Sequence, residues 1–229
     1  MTEKRINLDN QSFTAKRLDK VLFPGHALTR GDLIAYYKRI APTMLPYMKE
    51  RPLTMQRFPD GIEAGGFYQK EAPDYFPDWI QRTAVRVQED DREQEQLICN
   101  NAAALLYLAN QACITPHIWL SRAGKLDYPD KLIFDLDPPT NEFDPVRRAA
   151  RDLRDLLQEI DLASFVMTTG SQGLHVVVPL DRRANFDTVR DFAHNVAEHL
   201  AKRHPHRLTA ALNKEKRQGK LFLDYQFHL

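Results

Sequence analysis

The stretch Asp130–Thr140, DKLIFDLDPPT, decides the fold. Lys131 to Asp137 reads as one short strand that stops at Pro138-Pro139, because proline cannot donate to a strand ladder. Alternate side chains of a strand share a face. Leu132, Phe134 and Leu136 therefore point one way, into a core, while Asp135 and Asp137 point the other way, side by side. Two carboxylates on one face at a strand end repel each other. A divalent cation relieves that repulsion, and Mg²⁺ and Mn²⁺ prefer hard oxygen ligands. Two solvated carboxylates at a strand terminus are the other reading of the same residues.

The chain of 229 residues suffices for one large domain or two small ones. Its formal net charge of +1 carries no strong electrostatic signature, so any nucleic-acid surface must come from local clustering. Cys99 and Cys113 sit in apolar runs without metal-ligand spacing and read as reduced core residues of a cytoplasmic protein. No signal peptide and no membrane-length apolar run is present, so no membrane partner is expected. No Pro/Gly/Ser-rich linker interrupts residues 1–229, which are expected to form a single domain.

Along the chain, the first dozen residues read as polar and loose, and Ala15–Phe23 as a short helix closed by Pro24-Gly25. Thr29 opens a longer helix with Asp32 three residues on, a capping box. Leu33, Ile34, Tyr37, Ile40 and Ala41 form its apolar face, and Pro42 and Pro46 predict a kink or a division. Strands are expected over Pro52–Phe58 and Phe67–Lys70, around the turn Pro59-Asp60-Gly61, and over Ala84–Gln88, Gln96–Cys99 and Ile114–Leu120. Asn100 is expected to cap an apolar helix, Asn101–Gln111. After Pro139 a helix starts at Asp144, with Pro145 at its first position and an apolar stripe running from Val146 to Ile160. Strands Ser164–Thr169 and Leu174–Val178 flank the turn Gly170–Gly173, Phe186–Arg203 is an amphipathic helix, and Lys220–Tyr225 is the last strand. Helices and strands alternate without strict βαβ regularity, which predicts a mixed-sheet α/β or α+β fold and not a doubly wound parallel sheet.

Two further stretches carry chemistry. In Thr168–Leu180, TTGSQGLHVVVPL, two glycines flank Ser171-Gln172, so successive backbone N–H groups can converge on an anion, with Ser171 as a further donor. His175 follows on the second strand, opposite Leu174, Val176 and Val178. A plain hairpin turn with a satisfied histidine is the alternative. No GxxxxGK[ST] is present, so this is not a P-loop. In Lys214–Tyr225, KEKRQGKLFLDY, a basic run leads into a strand on which Phe222 and Asp224 share a face. Asp224 can add a third carboxylate, and Lys214, Lys216, Arg217 and Lys220 can neutralise phosphates. A solvated basic turn is the alternative. Three carboxylates hold two metals about 3.5–4 Å apart in many phosphoryl-transfer enzymes.

DLDP, TTGSQGLHVVVPL and GKLFLDY, in this order and spacing, closely resemble the polymerase domain of bacterial ligase D, in the archaeo-eukaryotic primase superfamily. The resemblance runs from LDKVLFP at Leu18 to Asp224. It implies an α+β primase-polymerase fold with an RRM-like palm of mixed or antiparallel sheets flanked by helices. It implies nucleotidyl transfer from NTP or dNTP, template-directed or as a terminal transferase, to a DNA 3′-end at a gap or break in non-homologous end joining. Ribonucleotide preference, Mn²⁺ or Mg²⁺ as cofactor, and Ku and a DNA ligase as partners come with it. By the same resemblance, Asp135, Asp137 and Asp224 are the catalytic metal ligands. Ser171, Gln172, Gly173, His175, Arg217, His117 and Lys70 are expected at the nucleotide, Lys20 and Arg30 at a downstream 5′-phosphate, and Phe67-Tyr68 as a stacking platform for template bases.

The sequence departs from the family in places. Gln172 stands where lysine is frequent, and Arg17 where some relatives have asparagine. Members also continue well past the third aspartate with an arginine-containing segment, whereas DYQFHL ends this sequence. A cut or naturally short form is expected; a short form would place Asp224 near a fraying terminus and leave a sheet edge open to dimerisation, so that either a monomer or a dimer is expected. The alternative function is a DNA-end-binding module that grips a 5′-phosphate and polymerises poorly. A DxDx(T/V) phosphatase is disfavoured by Pro139 at the fifth position, and a ligase by the lack of KxDG.

Overall fold

The chain divides into two units, residues 1–126 and 127–229; the computed structural model describes residues 2–86 and 92–226. The first unit runs β1 (Glu3–Leu8), β2 (Gln11–Lys16), β3 (Val21–Phe23), β4 (Leu28–Thr29), α1 (Arg30–Met48), β5 (Pro52–Arg57), β6 (Phe67–Gln69), β7 (Arg82–Arg86), β8 (Glu93–Ile98), α2 (Ala102–Asn110) and β9 (Cys113–Ile118). Its main sheet has the order β6-β5-β8-β7, with β9 also antiparallel to β5. The expected capping box holds: the Asp32 N–H donates to the Thr29 hydroxyl and the Thr29 N–H to the Asp32 carboxylate. Cys99 and Cys113 are free and buried, and burial pushes both thiols up to about 12.

Several expectations fail here for local physical reasons. The N-terminus is a hairpin, not a loose tail. Asp9 and Asn10 both take positive φ at its turn (51° and 60°), as a tight hairpin with this twist requires. The Asp9 carboxylate then accepts from Ala102 and Ala103 N–H at the start of α2. No helix forms over Ala15–Phe23. Ala15 is an inward strand residue, Arg17 turns the chain with φ 54°, and Val21–Phe23 is β3. Helix α1 runs unbroken through Pro42 and Pro46. Lys38, Pro42 and Pro46 lie on one exposed face at four-residue spacing, so the carbonyls that lose their N–H partners are open to water. Asn101, not Asn100, caps α2, accepting from Ala104 N–H. Asn100 instead accepts from Glu50 N–H. The end of the expected strand Ala84–Gln88 lies outside the described residues.

The second unit runs β10 (Lys131–Asp137), α3 (Phe143–Glu159), β11 (Phe165–Thr168), β12 (Leu174–Pro179), α4 (Phe186–Arg203), β13 (Leu208–Thr209) and β14 (Leu221–Asp224). Helix α3 begins one residue before the expected Asp144, which places Pro145 third and still within the first turn. The sheet order is β11-β12-β10-β14-β13, antiparallel except for β13 against β14. Without the short β13 this is a β-α-β-β-α-β unit with β10 central. The α+β class with antiparallel sheets is as expected. One face of the sheet buries Leu132, Phe134, Leu136, Val176, Val178 and Leu223 against the apolar stripes of α3 and α4. Among the described residues no helix is long and apolar enough to cross a membrane.

Phe134 is fully buried at the centre of this face. Phe134→Ala should lower the unfolding free energy by about 3–5 kcal/mol in urea denaturation. A loss below about 1 kcal/mol would show that the face is not a packed core.

Candidate active site

The face of this sheet opposite α3 and α4 collects the acids. Asp135 on β10 sits directly opposite Asp224 on β14 and opposite His175 on β12. His175, Asp135 and Asp224 thus form a row across three strands. Asp137 lies two residues along β10 on the same face, opposite Phe222. His175 Nε2 lies 3.5 Å from Asp135 Oδ2. Its Nδ1 is buried without a hydrogen-bond partner among the described residues. Asp224 Oδ1 accepts from Gln226 N–H at 2.8 Å.

The electrostatics follow from this register. Burial, reinforced by the negative charges of Asp135 and then Asp224, pushes the Asp137 carboxyl above its ordinary value of 3.8, while Arg217 and His175 oppose the shift. Arg217 is fixed beside the acids from three sides. Its guanidinium stacks on the buried Phe222 ring, 3.6 Å from the centroid, and donates to the Ala211 and Leu212 carbonyls. The pairing of Phe222 with Arg217 was legible only in part: the sequence shows Phe222 on the acid face but not what lies on it.

The turn between β11 and β12 is built to hug β10. Gly170 takes φ 79°, Thr169 Oγ1 donates to Gly173 O, and Ser171 N–H donates to Thr169 Oγ1. A Cβ on Gly173 would lie 2.7 Å from Leu136 O and 3.5 Å from Asp135 Oδ1, so only glycine fits without a shift. Ser171 and Gln172 are exposed at the rim.

The structure therefore gathers Asp135, Asp137, Asp224, His175 and Arg217, with the Ser171–Gly173 turn against β10. Their hard oxygens suit Mg²⁺ or Mn²⁺ better than a soft metal. Among the described residues no three His, Cys, Asp or Glu side chains stand close enough to hold an ion as they are placed. The donor chemistry fits a divalent cation; closing the carboxylates on it requires side-chain rotation.

The remaining expected residues belong to the first unit. Lys20 Nζ pairs with Asp60 Oδ1 at 2.9 Å. Arg30 is buried at the start of α1, where one guanidinium nitrogen donates to Lys16 O. Pro59-Asp60-Gly61 signals a turn in the sequence, and a turn signal says nothing about which cation the Asp60 carboxylate will meet. Phe67 and Tyr68 are both exposed, but they are consecutive on β6 and so face opposite sides of the sheet. Phe67 lies under the Arg57 guanidinium, and the Tyr68 ring packs on His117, whose Nε2 is 3.2 Å from Gln56 Oε1. The two rings therefore do not form one platform. Burial lowers the His117 pKa. Lys70 is exposed just beyond the end of β6.

A model of the primase-polymerase domain of LigD matches residues 29–228. The bifunctional non-homologous end joining protein LigD of Bacillus subtilis is 31% identical over 92% of this chain and 34% of its own length. The multifunctional non-homologous end joining protein LigD of Mycobacterium bovis is 32% identical over 98% of this chain and 30% of its own length. The chain thus spans about a third of these relatives. The solved polymerase domain of Mycobacterium tuberculosis ligase D, in complex with DNA, superposes with a TM-score of 0.86 at 32% identity, over 93% of this chain and 77% of that one.

The folded protein binds the Asp137 proton more tightly than the unfolded chain, so stability falls as pH rises from 3.8 through the raised value, and the penalty is complete above it. In EDTA, Asp137→Asn should therefore melt higher than the parent at neutral pH and converge with it below pH 3.8; a constant difference across that range would contradict the penalty that burial and the neighbouring carboxylates place on the Asp137 charge. Gly173→Ala should cost about 1–3 kcal/mol by overpacking against β10, read by urea denaturation.

Proposed function

The chain belongs to the family of LigD primase-polymerase domains, and from that premise we propose that it adds nucleotides to a DNA 3′-end at gaps or breaks during non-homologous end joining. The observation that carries the reading is the register of Asp135 against Asp224 with Asp137 two residues on. That arrangement suits phosphoryl transfer, which depends on positioning and charge neutralisation.

In this reading Asp135, Asp137 and Asp224 hold Mn²⁺ or Mg²⁺. A cation held there would neutralise charge on the attacking 3′-oxygen and on the leaving pyrophosphate. Arg217, fixed on Phe222, and His175, beside Asp135, present positive or donor groups to the triphosphate. Ser171, Gln172 and the backbone at Gly173 add donors from the turn that hugs β10. The bond from the 3′-oxygen to the α-phosphorus forms as the bond from that phosphorus to the α–β bridging oxygen breaks, pyrophosphate leaves and the 3′-hydroxyl proton passes to water. Lys20 and Arg30 take the downstream 5′-phosphate, and Tyr68 or Phe67 offers an exposed ring to a template base. The likeness to a domain solved with DNA supports the nucleic-acid substrate. Template direction, ribonucleotide preference, and work beside Ku and a ligase rest on the family alone.

Primer extension on a gapped duplex tests this reading. The expected result is extension that requires Mn²⁺ or Mg²⁺, stops in EDTA, and falls by at least about 100-fold in Asp137→Ala. A downstream 5′-phosphate should be preferred over a 5′-hydroxyl. Undiminished extension in Asp137→Ala would remove the acids from the mechanism. DNA binding without any extension would leave an end-binding module.

A further inference from the structure

The cationic turn of the first unit carries one feature that phosphate binding does not by itself explain. Lys20 and Arg30 are tied together by backbone: Arg30 N–H donates to Lys20 O at 2.8 Å, and Gly31 N–H to Leu18 O at 2.9 Å. Arg17, at the head of the same turn, is exposed: its carbonyl accepts from Lys20 N–H at 3.0 Å, while its guanidinium forms no hydrogen bond or ion pair among the described residues. Arg30 is only 8% exposed, and its Nε is buried with no partner, so donors of this guanidinium remain unused. Three cations thus face one anion, Asp60.

Asp60 is brought there by the chain, not by chance. Gly61, with φ 95°, lets the Pro59-Asp60-Gly61 turn lie against β3; a Cβ would meet Leu22 O at 3.3 Å and Val21 O at 3.4 Å. The Asp60 carboxylate then sits 2.9 Å from Lys20 Nζ. The Lys20 hydrogen bond and charge, aided by Arg17 and Arg30, hold its pKa below the ordinary value. The pair is nevertheless loose, with side chains 32% and 72% exposed, and solvent-screened pairs of this kind are weak. A terminal phosphate monoester, at about −1.5 to −2 charge near pH 7, is a stronger ligand for such a cluster than one carboxylate.

We infer that Asp60 is an internal competitor for the phosphate pocket of Lys20 and Arg30, and that it sets the affinity of the protein for a 5′-phosphorylated DNA end. This rests on the proposed reading of Lys20 and Arg30 as the 5′-phosphate site. With no end bound, the carboxylate occupies Lys20. When a phosphate arrives, the exposed Asp60 side chain gives way, and it returns when the end leaves. The pocket is thereby tuned for release as well as capture.

Fluorescence anisotropy with gapped duplexes bearing a downstream 5′-phosphate or 5′-hydroxyl, at fixed salt, tests the inference on the parent, Asp60→Asn and Lys20→Ala, with thermal melts to confirm folding. Asp60→Asn keeps the shape of an exposed turn residue. It should tighten binding of the 5′-phosphate duplex by roughly twofold to fivefold. The 5′-hydroxyl duplex, which brings no phosphate to the pocket, should change little, so the preference for phosphate rises. Lys20→Ala should abolish the preference. If Asp60→Asn weakens phosphate binding, Asp60 positions Lys20 and does not compete with the ligand, and the inference is overturned. An unchanged preference in Asp60→Asn, with Lys20→Ala still losing it, overturns the inference and leaves the 5′-phosphate site standing. If parent and Lys20→Ala are alike indifferent to the phosphate, both fall.

Discussion

Like charges held in cross-strand register are the constraint on which the second unit depends. Directly opposed carboxylates destabilise a sheet, yet Asp135 faces Asp224 across β10 and β14, with Asp137 two residues along. The arrangement is not free to relax by slipping. A shift of one residue would carry Leu132, Phe134 and Leu136 out of the core beneath α3 and α4 and put the acids into it. The apolar face thus locks the polar one. A local rule broken at the centre of an otherwise consistent sheet is where a functional or strained site is expected, and the pKa of Asp137 is raised there by burial first and by the neighbouring carboxylates second.

Close backbone approach does the rest of the positioning. Gly173 brings the β11–β12 turn onto β10 beside Asp135. In the first unit, Gly61 does the same for Asp60 against β3. Stacking completes the acid face: the Phe222 ring is buried opposite Asp137 and carries Arg217 on its surface. A cation placed by an aromatic face and two carbonyl acceptors loses little freedom when an anionic ligand arrives, which is the condition for electrostatic preorganisation.

Much of this was legible in the sequence because strand and helix periods are strong signals. The alternation in β10 put the core on one face and the acids on the other, and helix α4 matches its expected limits, Phe186–Arg203. What was not legible depends on partners distant in sequence. The β1–β2 hairpin rests on Asp9 and Asn10 adopting positive φ and on Asp9 reaching α2, 93 residues away. AKRLDKVLF has helical composition, but its first residues complete that hairpin and its last pair with β4. Pro42 and Pro46 are tolerated because their spacing keeps them on a solvated face, which only the docked helix reveals. Asp60 and Lys20 are 40 residues apart, and no local pattern links them.

In the proposed function the three carboxylates act as one cation-binding face. Titration calorimetry with Mn²⁺, in the absence of nucleotide and DNA, tests it on the parent and on Asp135→Asn, Asp137→Asn and Asp224→Asn. The expected result is saturable binding to the parent that each single substitution weakens by at least about tenfold. Binding that survives all three substitutions unchanged, or a parent that binds no Mn²⁺, would contradict it.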